Sequence, residues 1–329
     1  MDQLYQFSLD LTIWLQDTYP DLLVFFSIIS AMGEEEFFLI LLPVIYWSIN
    51  KRLGRQLGYI FLLSAAANNI LKNSFRLPRP YWLNPAVQQV NAEGYGLPSG
   101  HVQNSTAILF LAAALRQRSW IWLFAALFIF LSGLSRVYLG VHFIQDVLIG
   151  FWIGLLVLLI YGVLRNRFTA GFNKRILGQR LLALVAIPVG LGIVYIAILL
   201  IIGLPDLTVP WSSYIPAAEL NGHEDVVATI AGLLGYGIGV ILESSRIRFR
   251  SDGPVWQRAT RYGFGMAGAL VIWAGLRAIF PADPAWIALP LRFIRYFLLL
   301  LWVTYFAPWV FVKLRLAASD PEPEARVML

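Results

Sequence analysis

The sequence predicts an all-α protein built of about nine membrane-spanning helices. Hydrophobic residues make up 59% of its 329 residues and charged residues 13%, whereas charged residues are about a quarter of a typical soluble domain. The apolar residues are also grouped into long runs, such as 143–164 and 181–204. A helix that crosses a bilayer needs about 20 mostly apolar residues, so composition and patterning together indicate a polytopic membrane protein.

Nine candidate spans follow one another along the chain. The basic residues between them support this count, because cytoplasmic loops retain Lys and Arg. Most of the 25 Lys and Arg lie in alternate connections and in the C-terminal segment, which predicts that the N-terminus is outside and the C-terminus inside. The predicted spans are residues 22–49, 55–72, 102–115, 119–134, 143–164, 181–203, 225–243, 262–280 and 292–312.

Composition also excludes several classes of function. The chain has no cysteine, which excludes disulfides, thiolate catalysis and cysteine metal sites. No Lys or Arg precedes Lys51, so we expect no secretory signal of the usual kind, which has a basic region. Since the net charge of +6 follows the alternation of the loops, we expect it to face anionic lipid headgroups and we expect no nucleic-acid partner.

Three polar patches lie where predicted spans meet outer loops. They read KNSFRLPRP at 72–80, PSGH at 98–101 and SRVYLGVHFIQD at 135–146. The cations of the first and third patches lie on the outer side, where the orientation rule does not place basic residues. Each patch alone is common in structural roles, but their co-occurrence on one predicted face indicates a shared site.

The residue types in these patches suit anion binding followed by nucleophilic attack. Arginine binds a phosphate through two parallel donors, and Ser99 and Gly100 lie at the start of a predicted helix, whose free N–H groups favour an anion. His101 and His142 can transfer protons or attack as nucleophiles. Asp146 lies four residues after His142 and shares its helix face, so its carboxylate can hold one imidazole nitrogen protonated and leave the other free to attack.

The patches resemble the signature of the type 2 phosphatidic acid phosphatase superfamily, which vanadium haloperoxidases share. That signature reads K-x6-RP, PSGH and SR-x5-H-x3-D, and this chain matches every specified position. The motifs cover residues 72–146, and the resemblance extends through the flanking spans over about 22–165. The matching residues are Lys72, Arg79, Pro80, Pro98, Ser99, Gly100, His101, Ser135, Arg136, His142 and Asp146.

The resemblance implies a mechanism and a set of roles. It implies that His142 attacks phosphorus to form a phosphohistidine, with Asp146 orienting its ring. It further implies that His101 protonates the leaving oxygen before water releases phosphate. No metal or other cofactor is implied. The residues implied to bind the phosphoryl group are Lys72, Arg79, Ser99, Gly100, Ser135 and Arg136.

The substrate class is predicted from the layout of the spans. The lysine motif ends the second predicted span and four spans follow the catalytic core, a layout similar to that of glucose-6-phosphatase and the sphingosine-1-phosphate phosphatases. Arg79-Pro80-Tyr81-Trp82 also resembles the former, which makes Tyr81 a candidate pocket residue. Because a site at a span boundary is open to lipid headgroups, we rank a lipid phosphate first, of phosphatidate, sphingoid or isoprenyl phosphate or diphosphate type. A sugar phosphatase, a lipid phosphotransferase and a phospholipid transporter without chemistry are the alternatives.

Two acidic groups outside the motifs have open roles. Glu34, Glu35 and Glu36 interrupt the first predicted span. Either they form a polar hinge that reaches water, or they face the catalytic cavity and bind substrate, since ionisable residues within a membrane mark functional sites. The acidic residues around His223 lack metal-ligand spacing and are interpreted as a solvated outer loop.

The predicted organisation has four parts. These are an N-terminal interfacial segment at 1–21, a phosphatase core at 22–165, a four-helix membrane extension at 166–317 and a disordered tail at 318–329. We expect an inner- or plasma-membrane protein with its site at the outer face, whose partners are a phosphorylated lipid and the surrounding membrane lipids. A homodimer contact is one open role for the extension.

Overall fold

The chain folds as an all-helical protein, which confirms the predicted fold class. The computed structural model describes residues 3–173 and 175–321, and within them the only strand-like pairing is one antiparallel bridge between Phe249 and Ser319. These residues form thirteen α-helices. They are α1 (Gln3–Thr18), α2 (Leu23–Ala31), α3 (Glu35–Val44), α4 (Lys51–Phe75), α5 (Pro80–Leu83), α6 (Gly100–Arg116), α7 (Ser119–Tyr138), α8 (Ile144–Asn173), α9 (Leu177–Ile202), α10 (Ile215–Leu242), α11 (Val255–Ile279), α12 (Ala285–Leu301) and α13 (Ala307–Lys313).

Six helical segments in the described part of the chain are long and apolar enough to cross a membrane, so the predicted count of nine is not confirmed. Helix α6 has only 17 residues, and α4 carries the buried asparagines Asn68, Asn69 and Asn73, which lower its hydropathy. The first predicted span, 22–49, is divided between α2 and α3. The six segments are Ser119–Tyr138, Ile144–Arg167, Leu177–Ile202, Ser212–Ile247, Val255–Ile279 and Ala285–Lys313.

The chain forms two compact units whose segments alternate along the sequence. All three motif patches lie in the first unit. The predicted boundary at residue 165, between the phosphatase core and the membrane extension, is a functional division and not a division by packing. It stays a prediction. The first unit comprises the chain up to Phe38, Ser64–Leu159 and Ile196–Asp225, and the second comprises Leu39–Leu63, Ile160–Tyr195 and the chain from Val226 onward.

The first unit is built around α7. Helices α2 and α6 pack along it, and aromatic residues from the loops and neighbouring helices form one buried cluster at its C-terminal end. In that cluster the rings of Trp82 and Tyr214 stack with their centroids 5.2 Å apart, and those of Phe26 and Tyr138 lie 4.6 Å apart. Such a pair contributes about 0.5–1.5 kcal/mol beyond the burial of its area. The cluster therefore fixes the loops that carry the motifs.

Helix α1 braces the same loops. The Thr12 hydroxyl donates to the carbonyl of Val137 at 3.1 Å, and the Gln16 amide donates to the carbonyl of Tyr138 at 2.7 Å. The last carbonyls of a helix have no partner within it, and here α1 supplies two of those partners to α7. The segment predicted to be interfacial is thus also part of the scaffold that holds the third patch.

The second unit has a separate aromatic core and a buried ion pair. Lys51 Nζ lies 2.8 Å from Glu243 Oε1, and both side chains are buried. The Trp47 indole, which is also buried, donates to the carbonyl of Val303 at 2.9 Å. Breaking one partner of a buried ion pair leaves an uncompensated charge and is costly, so this pair holds the N-terminal end of α4 to the end of α10 within the unit.

The C-terminal segment pairs with the connection between α10 and α11. Ser319 forms its bridge with Phe249, and the N–H of Arg250 donates to the carbonyl of Ala318 at 2.8 Å. Backbone pairing therefore continues past residue 318, where the disordered tail is predicted to begin. The rest of that predicted tail, 322–329, lies outside the described residues.

Candidate active site

His142 lies in the short loop between α7 and α8, and only 1% of its surface is exposed. Its Nδ1 atom lies 3.3 Å from Oδ2 of Asp146 in the first turn of α8, and the same oxygen accepts the N–H of Phe143 at 2.9 Å. Because an ionised carboxylate only accepts hydrogen bonds, Nδ1 carries the proton and Nε2 has the lone pair. The side chains predicted as nucleophile and orienting group are therefore in contact.

The surroundings of His142 keep its imidazole neutral. Burial, followed by the positive charges of Arg79 and Arg136, holds the pKa of His142 well below its ordinary value. Burial likewise lowers the pKa of the Arg79 guanidinium, yet an arginine stays protonated in a protein. A neutral imidazole beside a fixed cation keeps its lone pair at neutral pH, and this is the form that attacks an electrophile.

Arg79 joins the first patch to the third and to the loop between the first two. Its Nε donates to the carbonyl of Gly94 at 2.7 Å, its Nη2 to the carbonyl of Glu93, and its Nη1 to the carbonyl of Val141 at 3.0 Å. Nη1 also lies 3.4 Å from Nε2 of His142. The guanidinium is thus held rigidly beside the free imidazole nitrogen, where it can stabilise negative charge on a bound group.

The second patch forms the N-terminus of α6. Ser99 is the residue that precedes the helix and is fully buried, yet its hydroxyl has no hydrogen-bond partner among the residues that the structure describes. Its N–H donates to the carbonyl of Asp146 at 3.0 Å, which ties this patch to the third. The first N–H groups of a helix are unpaired within it, so the turn that begins at Gly100 presents donors beside a free hydroxyl. This arrangement suits an anion.

Ser30 of α2 holds both His101 and Arg136. Its backbone carbonyl accepts a hydrogen bond from the His101 ring, and its hydroxyl accepts one from Nη1 of Arg136. Nε2 of His101 and Nε of Arg136 are buried and have no hydrogen-bond partner within the described ranges, so each side chain keeps one atom for a bound molecule. No motif includes Ser30, and its only signal in the sequence is a polar residue within an apolar helix.

Lys72 and the glutamates at the break between α2 and α3 lie around the same site. Lys72, in the last turn of α4, is half-buried and interacts electrostatically with Arg136. Glu34 interacts with Arg136, and Glu35 interacts with Lys72. Glu34 and Glu36 are exposed, whereas Glu35 is half-buried. The segment that interrupts the first predicted span therefore brings carboxylates close to the cations of the motifs.

Ser135 and Tyr81 form hydrogen bonds within the protein. The Ser135 hydroxyl donates to the carbonyl of Ser132 at 2.7 Å, and the Tyr81 hydroxyl donates to the carbonyl of Ala92 at 2.6 Å. The Tyr81 ring is buried in the aromatic cluster. The roles predicted for these two residues, in phosphate binding and in the substrate pocket, stay predictions.

Helix α10 packs beside the end of α4, in a region interpreted from the sequence as a solvated loop. The carboxylate of Glu219 accepts two hydrogen bonds from Arg76, at 2.9 and 2.8 Å. The Tyr95 hydroxyl donates to the same carboxylate at 2.7 Å, and burial together with this bond raises the pKa of Tyr95. The loop interpretation is wrong because these acidic residues belong to α10, where Glu219 pairs with a cation far away in the sequence.

Replacement of Gly140 by alanine is expected to lower stability strongly. Gly140 turns the chain from α7 toward His142 with a φ of 70°, and an added Cβ would lie 2.0 Å from the carbonyl oxygen of Val87. Strain and overlap together correspond to about 2–5 kcal/mol of unfolding free energy. Thermal melting of the purified protein in detergent measures the loss. The matched control is Gly162→Ala, where an added Cβ meets open space; equal melting temperatures for the two variants would contradict this account.

Fold and site together define an integral membrane protein with buried arginines next to two histidines. The chain belongs to the PAP2 superfamily. Residues 53–170 match the profile described as PAP2 superfamily, and residues 227–319 match the profile described as PAP2 superfamily phosphatase, transmembrane extension. The two matched segments cover more than half of the chain, and the predicted resemblance is confirmed.

Several curated proteins are similar to part of the chain. The probable sphingosine-1-phosphate phosphatase of Dictyostelium discoideum is 34% identical over 143 residues, which cover 38% of this chain and 34% of that protein. Sphingosine-1-phosphate phosphatase 2 of Homo sapiens is 33% identical over 146 residues, 41% of this chain and 36% of the relative. Phosphatidylglycerophosphatase B of Bacillus subtilis is 29% identical over 161 residues, 45% of this chain and 73% of the relative.

The chain spans about a third of the length of the first two of these relatives. No solved structure matches the chain significantly.

Proposed function

We propose that this protein is a membrane phosphatase that hydrolyses a lipid phosphate ester through a phosphohistidine at His142. The observation that carries the proposal is the placement of His142, whose Nδ1 faces Asp146 while Nε2 lies beside Arg79 in a buried site. An imidazole oriented in this way can attack phosphorus directly. The relatives named above support the lipid class, because their names are those of sphingosine-1-phosphate and phosphatidylglycerol phosphate phosphatases.

The proposed reaction has two steps. Burial and the neighbouring cations lower the pKa of His101, and the negative charge of a bound phosphate favours its protonated form. In the first step, Nε2 of His142 attacks phosphorus, the bond from phosphorus to the ester oxygen breaks, and His101 protonated in this way gives that oxygen its proton. Arg79, Arg136 and the N-terminus of α6 stabilise charge on the phosphoryl oxygens. In the second step neutral His101 takes a proton from water, the water oxygen attacks phosphorus, and inorganic phosphate leaves His142.

The position of the site supports a lipid substrate. Its residues come from the ends of α4, α6 and α7 and from the loops between them, so a lipid that stays in the bilayer can bring its headgroup to the site. The alternation of basic loops supports an outside N-terminus and an inside C-terminus, and we include catalysis at the outer face of the inner or plasma membrane in the proposal. The chemistry uses one chain, so it does not depend on the homodimer contact, which stays a prediction.

Phosphate release is expected to be unaffected by removal of divalent metal ions and to be inhibited by vanadate. Within the described ranges no cluster of three or more His, Asp or Glu residues could hold a metal ion, and the proposed charge stabilisation comes from arginines and helix N–H groups. The measurement is phosphate release by purified protein from phosphatidate, sphingosine 1-phosphate, isoprenyl diphosphate, phosphatidylglycerophosphate and glucose 6-phosphate, each with EDTA and with or without vanadate.

Each alternative has its own outcome in this screen. Release from glucose 6-phosphate alone would indicate a sugar phosphatase, and transfer of labelled phosphate to a second lipid would indicate a phosphotransferase. Movement of a phospholipid across proteoliposomes without release would indicate a transporter. Loss of release in EDTA that is restored by added metal would contradict the proposed mechanism.

A further inference from the structure

Three polar side chains outside the signature positions meet at the C-terminal end of α4, within the first unit. The carboxylate of Glu219, in the N-terminal part of α10, accepts hydrogen bonds from Nε and Nη2 of Arg76 at 2.9 and 2.8 Å. It also accepts one from the Tyr95 hydroxyl at 2.7 Å. The remaining guanidinium nitrogen, Nη1 of Arg76, donates to the carbonyl of Gly203 at 2.7 Å. One carboxylate thus joins the end of α4 to the loop that precedes α6.

The backbone at Arg76 supports a fixed role for this contact. Arg76 directly follows the last residue of α4 and has a φ of 51°. A residue with a side chain rarely adopts this left-handed conformation, which persists where the surrounding structure holds it. The bonds from the Arg76 side chain to Glu219 and Gly203 provide that hold. They therefore fix the direction in which the chain leaves α4 toward Arg79, three residues later.

Tyr95 carries the same contact to the acceptors of Arg79. Tyr95 is buried with 1% of its surface exposed, and its ring belongs to the aromatic cluster of the first unit. The two residues directly before it are Glu93 and Gly94, whose carbonyls accept hydrogen bonds from Nη2 and Nε of Arg79. The hydroxyl bond to Glu219 thus anchors the loop at the residue that follows these two carbonyls.

The carbonyls decide which donors of Arg79 remain for a ligand. A guanidinium has five N–H groups. Carbonyls of Gly94, Glu93 and Val141 take one on each nitrogen, which leaves one N–H on each Nη atom, within the described ranges, for the imidazole of His142 and a bound phosphoryl oxygen. Since Nη1 lies 3.4 Å from Nε2 of His142, a shift of the loop that carries Glu93 and Gly94 would turn these donors away from the reacting atoms.

We propose that Glu219 is a positioning residue of the active site, which acts through Tyr95 on Arg79. Its carboxylate holds the Tyr95 hydroxyl, and the two carbonyls before this tyrosine hold the guanidinium beside His142. The inference rests on the proposed phosphatase function and adds a residue to its machinery. Glu219 lies between the two matched segments, 53–170 and 227–319, and belongs to neither. It gives the N-terminal part of α10 a part in catalysis.

Two single variants measure the effect on turnover. Tyr95→Phe removes the hydroxyl and keeps the ring in the aromatic cluster, and Glu219→Gln removes the charge that holds both partners. Each is expected to lower kcat by about 10- to 100-fold, the loss expected when a catalytic group is slightly misplaced. KM is expected to change little, because Arg79 acts on charge that develops in the transition state. The substrate is p-nitrophenyl phosphate, which tests the phosphate side of the site without any lipid recognition.

The matched control is Tyr262→Phe. The Tyr262 hydroxyl also bonds to a backbone carbonyl, that of Ile40 at 3.5 Å, but both residues lie in the second unit. This variant is expected to keep the wild-type kcat.

A double-mutant cycle separates positioning from a general loss of folded protein. In an Arg79→Ala background, Tyr95→Phe is expected to cause no further fall in kcat, because the group through which the tyrosine acts is absent. Arg79→Lys provides a second background with the same expectation, since one amine cannot replace the guanidinium fork. A purely structural defect would reduce kcat by the same factor with or without Arg79.

Three results would overturn the inference while leaving the phosphatase function intact. These are a wild-type kcat in Tyr95→Phe and Glu219→Gln, an equal fall in Tyr262→Phe, and a loss from Tyr95→Phe that is the same in the wild type and in the Arg79 variants. Absence of phosphate release by the wild-type protein from p-nitrophenyl phosphate and from every lipid would instead refute the proposed function on which the inference rests.

Discussion

Replacement of His142 by alanine is expected to lower phosphate release by about 10⁴-fold or more, because it removes the nucleophile of the proposed reaction. The remaining cations and the N-terminus of α6 should still bind the phosphate, so the affinity for substrate is expected to change little. Single-turnover release from sphingosine 1-phosphate, together with substrate binding measured on the same preparation, separates the two effects.

His223→Ala is the matched control for this variant, because His223 is the remaining histidine of the three in the chain and has no role in the proposed reaction. We expect it to keep phosphate release near the wild-type level. Melting temperature and elution volume in detergent show whether each variant folds. A folded His142→Ala protein with unchanged turnover would contradict the assignment of the nucleophile.

Replacement of His101 by alanine is expected to lower release from lipid substrates by about 10²- to 10⁴-fold, the usual contribution of a general acid. The loss should depend on the leaving group. An alkoxide leaves poorly without a proton, whereas p-nitrophenolate leaves without one, so p-nitrophenyl phosphate is expected to be hydrolysed by His101→Ala at a rate much closer to that of the wild type.

The comparison of leaving groups separates chemistry from structure, because His101 also contacts Gly33 and Ser30. A structural defect would slow both substrates alike. If His101→Ala lost the same factor on p-nitrophenyl phosphate as on a lipid phosphate, His101 would be a structural residue and not the general acid. His142→Ala is the reference, since it should be inactive on both.

The contact between two of the motif residues could be predicted because the proposed phosphoryl chemistry restricts both their type and their spacing. His142 and Asp146 are in contact as their four-residue separation predicts, although His142 precedes α8 and is not part of it. The turn into the helix keeps the two side chains close. The basic and apolar patterns likewise predicted the helical membrane fold, because the bilayer limits what can span it.

The number of spans could not be predicted in the same way. Helix α4 contains asparagines that are buried within the first unit. The Asn68 side chain, for example, donates to Gln103 Oε1 of α6 at 2.8 Å. Such a helix needs less apolar surface than one that faces lipid, so hydropathy alone does not decide whether it crosses the membrane. The break between α2 and α3 follows from Gly33 and the glutamates, yet its proximity to the site depends on packing.

Side-chain contacts between residues far apart in the sequence could not be predicted either. Ser30 and Arg136 are 106 residues apart, and Arg76 and Glu219 are 143 residues apart. Neither pair has a local pattern, and the isolated serine or glutamate has many structural roles. These contacts nevertheless hold Arg136 of the third patch and the end of α4, so the candidate site depends on residues that no motif contains.

The most direct test of the central claim is to trap the phosphorylated protein. Purified protein is mixed with lipid substrate labelled in the phosphate and quenched within one turnover, and the labelled peptide is identified under alkaline conditions, in which phosphohistidine survives. One labelled site is expected, His142, and no labelled protein is expected for His142→Ala. Label on another residue, or rapid phosphate release by His142→Ala, would contradict the central claim.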